Sequence, residues 1–184
     1  MDREDLRSLF SLVLQDTWLF SGTIGDNIRY GRLNARKDEV VDAAKMANVH
    51  HFIQTLGHGY DSMINEEANN ISQGEKQLLT IARAVLKDPQ ILILDEATSS
   101  VDTRLEKMLQ DAMQKVMDAL MKGRTTFVIA HRLSTIRNAD LILVIENGDI
   151  VEQGTHESLL AKKGFYEKLY NSQFASKQEK NAVS

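Results

Sequence analysis

Hydrophobic residues recur in three different rhythms along this chain. The first stretch, LFSLVLQDTWLFSG (Leu9 to Gly22), opens with an apolar run, meets Gln15 and Asp16, and breaks at Ser21-Gly22. That is the pattern of a buried strand running into a loop. From Ile24 to Lys87 the period turns helical. In KDEVVDAAKMANVHHFIQTL, Val40, Val41, Ala44 and Ala47 and, past a break, Phe52 and Leu56 fall near one side, and Gly57 and Gly59 close the segment. A further helix begins at Ser72. There SQGE sets Glu75 three residues after a serine and just ahead of the apolar LLTIARAVL, the spacing of a capping box. Asp88-Pro89 stops that helix.

The third rhythm is continuous. ILILD, TFVIAH and LILVIE are apolar runs, and between the first two lies a helix from about Val101 to Met121, whose Leu105, Met108, Ala112, Val116 and Leu120 form a stripe. Continuous apolar strands joined through helices predict a parallel sheet covered on both faces, hence an α/β fold. Asn147-Gly148 inside LILVIENGDIVEQG predicts a hairpin that extends the sheet edge. Thr155 can cap a last helical region, interrupted near Gly164, that reaches about Tyr170, and the polar NSQFASKQEKNAVS beyond it is expected to fray. No internal repeat is visible.

Composition narrows the function. With 184 residues, 42% of them hydrophobic, the chain can bury a core of its own. A net charge of −4 with mixed signs gives no basic stripe, so no nucleic-acid partner is expected. The absence of cysteine excludes a disulfide framework and a thiolate metal site. No apolar run approaches the roughly 18 residues that a membrane-spanning helix needs.

The chemistry concentrates in ILILDEATSSVD, Ile91 to Asp102, where a buried strand delivers two adjacent carboxylates to a sheet edge. An Asp in that place can hold a magnesium ion, usually through water, with the Glu one step further out: a Walker B arrangement. Alone, such acids can equally cap the next turn. The context is more specific, with ISQGEKQLLTIARA upstream, SSVD downstream and VIAHRLST ending the next strand. From about residue 5 to about residue 170 the chain resembles the nucleotide-binding domain of an ATP-binding cassette (ABC) transporter of the exporter type, to which LFSGTIGDNIRYG and IVEQGTHESLL also conform.

The resemblance implies a P-loop NTPase-like (RecA-like), mostly parallel sheet with flanking helices and an added helical subdomain, incomplete at its N-terminus. It divides the chain into a Q-loop strand and loop (1–25), a helical subdomain with the signature motif (26–88), a core with Walker B, D-loop and switch histidine (89–170) and a polar tail (171–184). It makes Gln15 the Q-loop glutamine, reaching the metal or the attacking water, and Asp95 the magnesium acid. Glu96 polarises or deprotonates the water that attacks the terminal phosphate. Asp102 is the D-loop aspartate, and His131 donates to that phosphate. Ser72, Gly74 and Glu75 belong to the signature loop, where a hydroxyl and helix N–H groups can meet a phosphate.

Two departures stand out. The family loop usually reads Leu-Ser-Gly-Gly-Gln, whereas Ile71-Ser72-Gln73-Gly74-Glu75 keeps one glycine and puts a carboxylate beside a phosphate site. That placement is unfavourable unless Glu75 turns back to cap the helix. The second departure is larger: nowhere do the 184 residues contain Gly-x-x-x-x-Gly-Lys-Ser/Thr, the loop that cradles phosphates and that in the family precedes the Q-loop. The resemblance implies ATP and Mg2+ as ligands, with an exporter's transmembrane domain and a second nucleotide-binding domain, in a homo- or heterodimer, as partners. It places the chain on the cytoplasmic face of the cell membrane. The missing cradle keeps open an alternative, a non-hydrolysing interaction or regulatory fragment that docks on such partners. A chromosome-organising ATPase with the same motifs would carry a long coiled coil between Gln15 and Ser72, where only a modest helical stretch stands.

Overall fold

The computed structural model describes residues 2–14, 17–65, 70–95, 114–130 and 133–172. The chain divides into two compact units, residues 1–129 and 130–184.

In the first unit a short helix, α1 (Arg3–Leu9), leads into strand β1 (Phe10–Val13). The apolar pattern does not announce α1. It rests on Asp2, whose carboxylate accepts from the Asp5 N–H at 2.9 Å. β1 then pairs in parallel with β4 (Ile91–Asp95), and β4 with β5 (Thr125–Ile129), in the order β1-β4-β5. A minimal ribbon, β2 (Gly22–Thr23) against β3 (Met63–Ile64), lies beyond β1 in the chain. Between them come α2 (Ile24–Arg29), α3 (Lys37–Met46) and α4 (His50–Thr55). α5 (Gln73–Lys87) precedes β4, and α6, of which residues 114–121 are described, precedes β5.

The break expected between Ala47 and Phe52 is real. Asn48 takes a left-handed φ of 59°, ending α3 and turning the chain so that Ala44, Ala47, Val49 and Ile53 are all fully buried. They join Ile24 and Ile28 of α2 and Leu79, Ile81 and Ala82 of α5 in one core that continues to Val13, Leu92 and Leu94 on the sheet. α5 ends at Asp88, in a left-handed C-cap (φ 51°), and Pro89 follows. Arg124 fastens that corner, donating from Nε to Pro89 O at 2.9 Å and from Nη2 to Asp88 Oδ1 at 2.5 Å, with Nη1 on Leu120 O.

On the face of this sheet away from that core, Leu12, Phe127 and Ile129 are each more than half exposed. In the second unit, β6 (Ile142–Glu146) pairs antiparallel with β7 (Asp149–Gly154) across Asn147-Gly148, at φ 53° and 93°. The turn was legible because a two-residue hairpin is a local motif.

The second unit also contains α7 (Leu133–Arg137), α8 (His156–Lys162) and α9 (Phe165–Tyr170). Thr155 caps α8 as expected, its Oγ1 accepting from the Ser158 N–H. Glu152 of β7 accepts from the N–H groups of Phe165 and Tyr166 at 3.0 and 2.8 Å, which begins α9 directly after Gly164. The small core is Val144, Leu159 and Tyr166. Beside it, buried His156 bonds through Nδ1 to the Tyr166 hydroxyl at 2.8 Å, with the Tyr170 ring at 5.0 Å.

Burial, helped by the charge of Arg137 and opposed by Glu157, lowers the His156 pKa. A lowered histidine pKa means that the unfolded chain takes up a proton that the folded unit refuses. Full stability from this source is therefore present above the ordinary value of about 6.5 and is lost as pH falls through the folded value. Amide-exchange protection across 142–170 is expected to fall between pH 7.5 and pH 5, and His156→Phe is expected to flatten that dependence. Equal slopes for both chains would refute the assignment.

Candidate functional site

The parallel register sets Val13 beside Leu94, and Leu94 beside Val128, so β1, β4 and β5 end at one edge. Open α/β sheets bind ligands at such carboxyl-terminal edges. Buried Leu92 and Leu94 anchor β4 and bring Asp95, opposite Ile129 and only partly exposed, to its last position. Gln15 is two residues beyond the end of β1, Glu96 one beyond β4 and His131 two beyond β5. Gln15, Glu96, Asp102 and His131 themselves lie outside the described residues. The strands that lead to three of them, and Asp95 itself, thus converge.

A carboxylate at the end of a strand suits the preference of Mg2+ for oxygen. That ion keeps several waters and is held by one or two carboxylates together with substrate phosphates, rather than by an all-protein cage. Among the described residues no cluster of three or more His, Cys, Asp or Glu side chains could hold a metal ion. Among the described residues, Asp95 at the end of β4 is a carboxylate of the kind that such a site uses.

The signature segment is a capped helix start. Ser72 is the N-cap of α5, and Glu75 turns back onto it: Oε2 accepts from the Ser72 N–H at 2.9 Å and from the Ser72 hydroxyl at 2.7 Å. In return the Glu75 N–H donates to Ser72 Oγ at 3.4 Å. Glu75 thus occupies the positive end of α5 with the chain's own carboxylate, and the Ser72 hydroxyl proton is engaged. A phosphate arriving here must take over those donors. Ser72 and Gln73 are exposed and Gly74 partly so, which leaves the turn accessible.

One network went unmarked in the sequence reading. The fully buried Asn27 side chain accepts from the Phe20 N–H and donates to Phe20 O and Thr23 O, all at 3.0–3.1 Å. Arg83 of α5 then donates from Nε to Asn27 O and from Nη2 to Asn27 Oδ1, both at 2.5 Å, and from Nη1 to Trp18 O at 2.6 Å. Its guanidinium carbon lies 5.6–6.0 Å from the ring centroids of Trp18, Phe20 and Tyr30. The sequence signal was there: a lone cation inside the apolar LLTIARAVL. Arginine in such a run must find acceptors.

Comparison with known proteins identifies the family. The ABC transporter family matches residues 1–99. An uncharacterized ABC transporter ATP-binding protein of Bacillus subtilis is 53% identical over 174 residues, 95% of this chain and 28% of that protein. A fatty acid ABC transporter ATP-binding/permease protein of Mycobacterium bovis is 56% identical over 166 residues, 90% of this chain and 26% of that protein. The chain therefore spans about a quarter of the length of these relatives. A bacterial Atm1-family ABC exporter, solved with ATP bound, superposes with a TM-score of 0.79 at 44% identity, over 93% of this chain and 29% of the exporter. Strand edge, capped helix and family match coincide, and the chain belongs to the ABC transporter family.

Proposed function

We propose that the chain is part of the ATP-hydrolysing unit that powers export by an ABC transporter, and that the 184 residues alone turn over no ATP. The observation that carries this reading is the common edge at which β1, β4 and β5 end, with Asp95 at the centre and Gln15, Glu96 and His131 next along the three strands. Asp95 would hold Mg2+, which when bound neutralises charge on the phosphate oxygens. Glu96 orients the attacking water and takes its proton, Gln15 steadies that water, and His131 donates to the terminal phosphate. Ser72 and Gly74, set a full helix away from Asp95, serve the nucleotide of a second such domain, with Asp102 lying across that interface. The transmembrane domain is the other partner, which places the chain on the cytoplasmic side of a membrane.

Most phosphate contacts in such sites come from the backbone nest and lysine of the phosphate loop, a motif that the 184 residues do not contain. The chain is accordingly expected to bind ATP much more weakly than micromolar in calorimetry and to release no phosphate steadily with Mg2+. Micromolar affinity or sustained turnover would overturn this. The same missing motif favours a rival reading, an interaction fragment that docks on an intact partner without contributing to hydrolysis. The rival predicts that altering Glu96 changes nothing once a phosphate loop is supplied.

A further inference from the structure

Helix α5 is attached at two places to the segment that follows Gln15. At its first turn the exposed Gln73 side chain donates to Thr17 Oγ1 at 3.2 Å. Gln73 is also the residue that replaces the first glycine of the family loop. Ten residues further, about 15 Å along the helix axis, Arg83 takes hold of Trp18 O and of both oxygens of Asn27, and Asn27 in turn holds Phe20 by its N–H and its C=O.

Arg83 is an expensive way to fill this space. Burial lowers its pKa to about 10, and the oxygens it bonds are neutral. A half-buried cation without a bonded carboxylate recovers its desolvation cost from well-aimed dipoles and aromatic faces. An apolar side chain would pack here at lower cost. What the guanidinium adds is geometry: a rigid fork reaching three acceptors on two elements at once.

We propose that Arg83 is a positioning residue that locks residues 17–23 to α5, so that the loop carrying Gln15 and the helix start carrying Ser72 and Gly74 shift as one body. Given the function proposed above, a shift of residues 17–23 is passed through Arg83 along α5 to the turn carrying Ser72 and Gly74. Gln73 and Thr17 form a weaker second tie near the moving end. A single exposed neutral hydrogen bond contributes little, so Arg83, with three acceptors, dominates.

The test needs no nucleotide, so it stands or falls separately from the ATPase reading. In the full 184-residue chain, amide exchange is measured at Phe20, whose N–H rests on Asn27, and at Leu79 and Ile81 in α5. The Phe20 amide reports on the joint, and the two α5 amides report on the helix itself. Arg83→Met is expected to speed exchange at Phe20 by tenfold or more relative to Leu79 and Ile81. Arg83→Lys, which keeps the charge but cannot span three acceptors, is expected to do the same to a smaller degree and serves if the methionine variant fails to fold. Equal acceleration at all three amides would mean that Arg83 is merely a piece of the core, and the proposal falls. Unchanged Phe20 exchange in both variants overturns it as well.

Discussion

Glu96→Gln, introduced into a longer chain that also carries a phosphate-cradling loop, is expected to retain ATP binding and lose hydrolysis by roughly 10²–10⁴-fold, the range for a positioned acid–base group. The substitution keeps the shape of the side chain and its hydrogen-bonding reach while removing the carboxylate that accepts the proton. Affinity for ATP should hold or rise, because one negative charge near the phosphates is gone. Asp95→Asn should act differently, weakening the dependence on Mg2+, since a neutral amide is a poorer ligand for a hard cation. The two phenotypes therefore separate the acid that faces the metal from the acid that faces water. Near-normal turnover by Glu96→Gln would remove Glu96 from the reaction and favour the interaction-fragment reading.

The two acids are adjacent in sequence, yet the sequence and the structure contribute differently to them. ILILD was legible as a buried strand because apolar residues fill every position before the carboxylate, and Leu92 and Leu94 are indeed buried. The parallel register with β1 and β5 is what sets the neighbouring strand ends together, and it cannot be read from any one strand. Ser72–Glu75 was legible at atomic detail, because a capping box is a local motif whose partners are three residues apart. The hairpin at Asn147-Gly148 was legible for the same reason.

Asn27 and Arg83 mark the other limit. Their partners are 56 residues apart in the chain, and polar residues inside helical patterns look alike whether they are solvated or buried. Only the packing of α2 on α5 makes Asn27 a substitute for strand pairing at Phe20. α1 escaped notice because seven residues are too few to show a period, and its cap is an ordinary aspartate. Sequence therefore delivered the local chemistry, and tertiary packing supplied the joints between its pieces.

Gly31 tests the most crowded of those joints. It follows α2, and a Cβ placed there would come within 2.2 Å of Arg83 O and 3.0 Å of Arg83 C, both main-chain atoms of α5. Backbone cannot rotate away as a side-chain tip can, so the end of α2 and the third turn of α5 must separate by more than an ångström, roughly, to restore van der Waals contact. That separation pulls on the Arg83 fork, stretching short hydrogen bonds to Asn27 and Trp18. Gly31→Ala is therefore expected to lie at the upper end of overpacking costs, roughly 3 kcal/mol, lowering the melting temperature of the first unit by about 6–12 °C. Gly57→Ala is the matched control, because its added Cβ meets nothing within 4 Å. There the loss of chain freedom in the unfolded state leaves stability unchanged or slightly raised. Thermal unfolding followed by Trp18 fluorescence compares the two substitutions in one experiment. A Gly31→Ala chain that melts with the Gly57→Ala chain would mean that α2 and α5 do not approach as closely as described, and with that the tight seat of Arg83 would be lost.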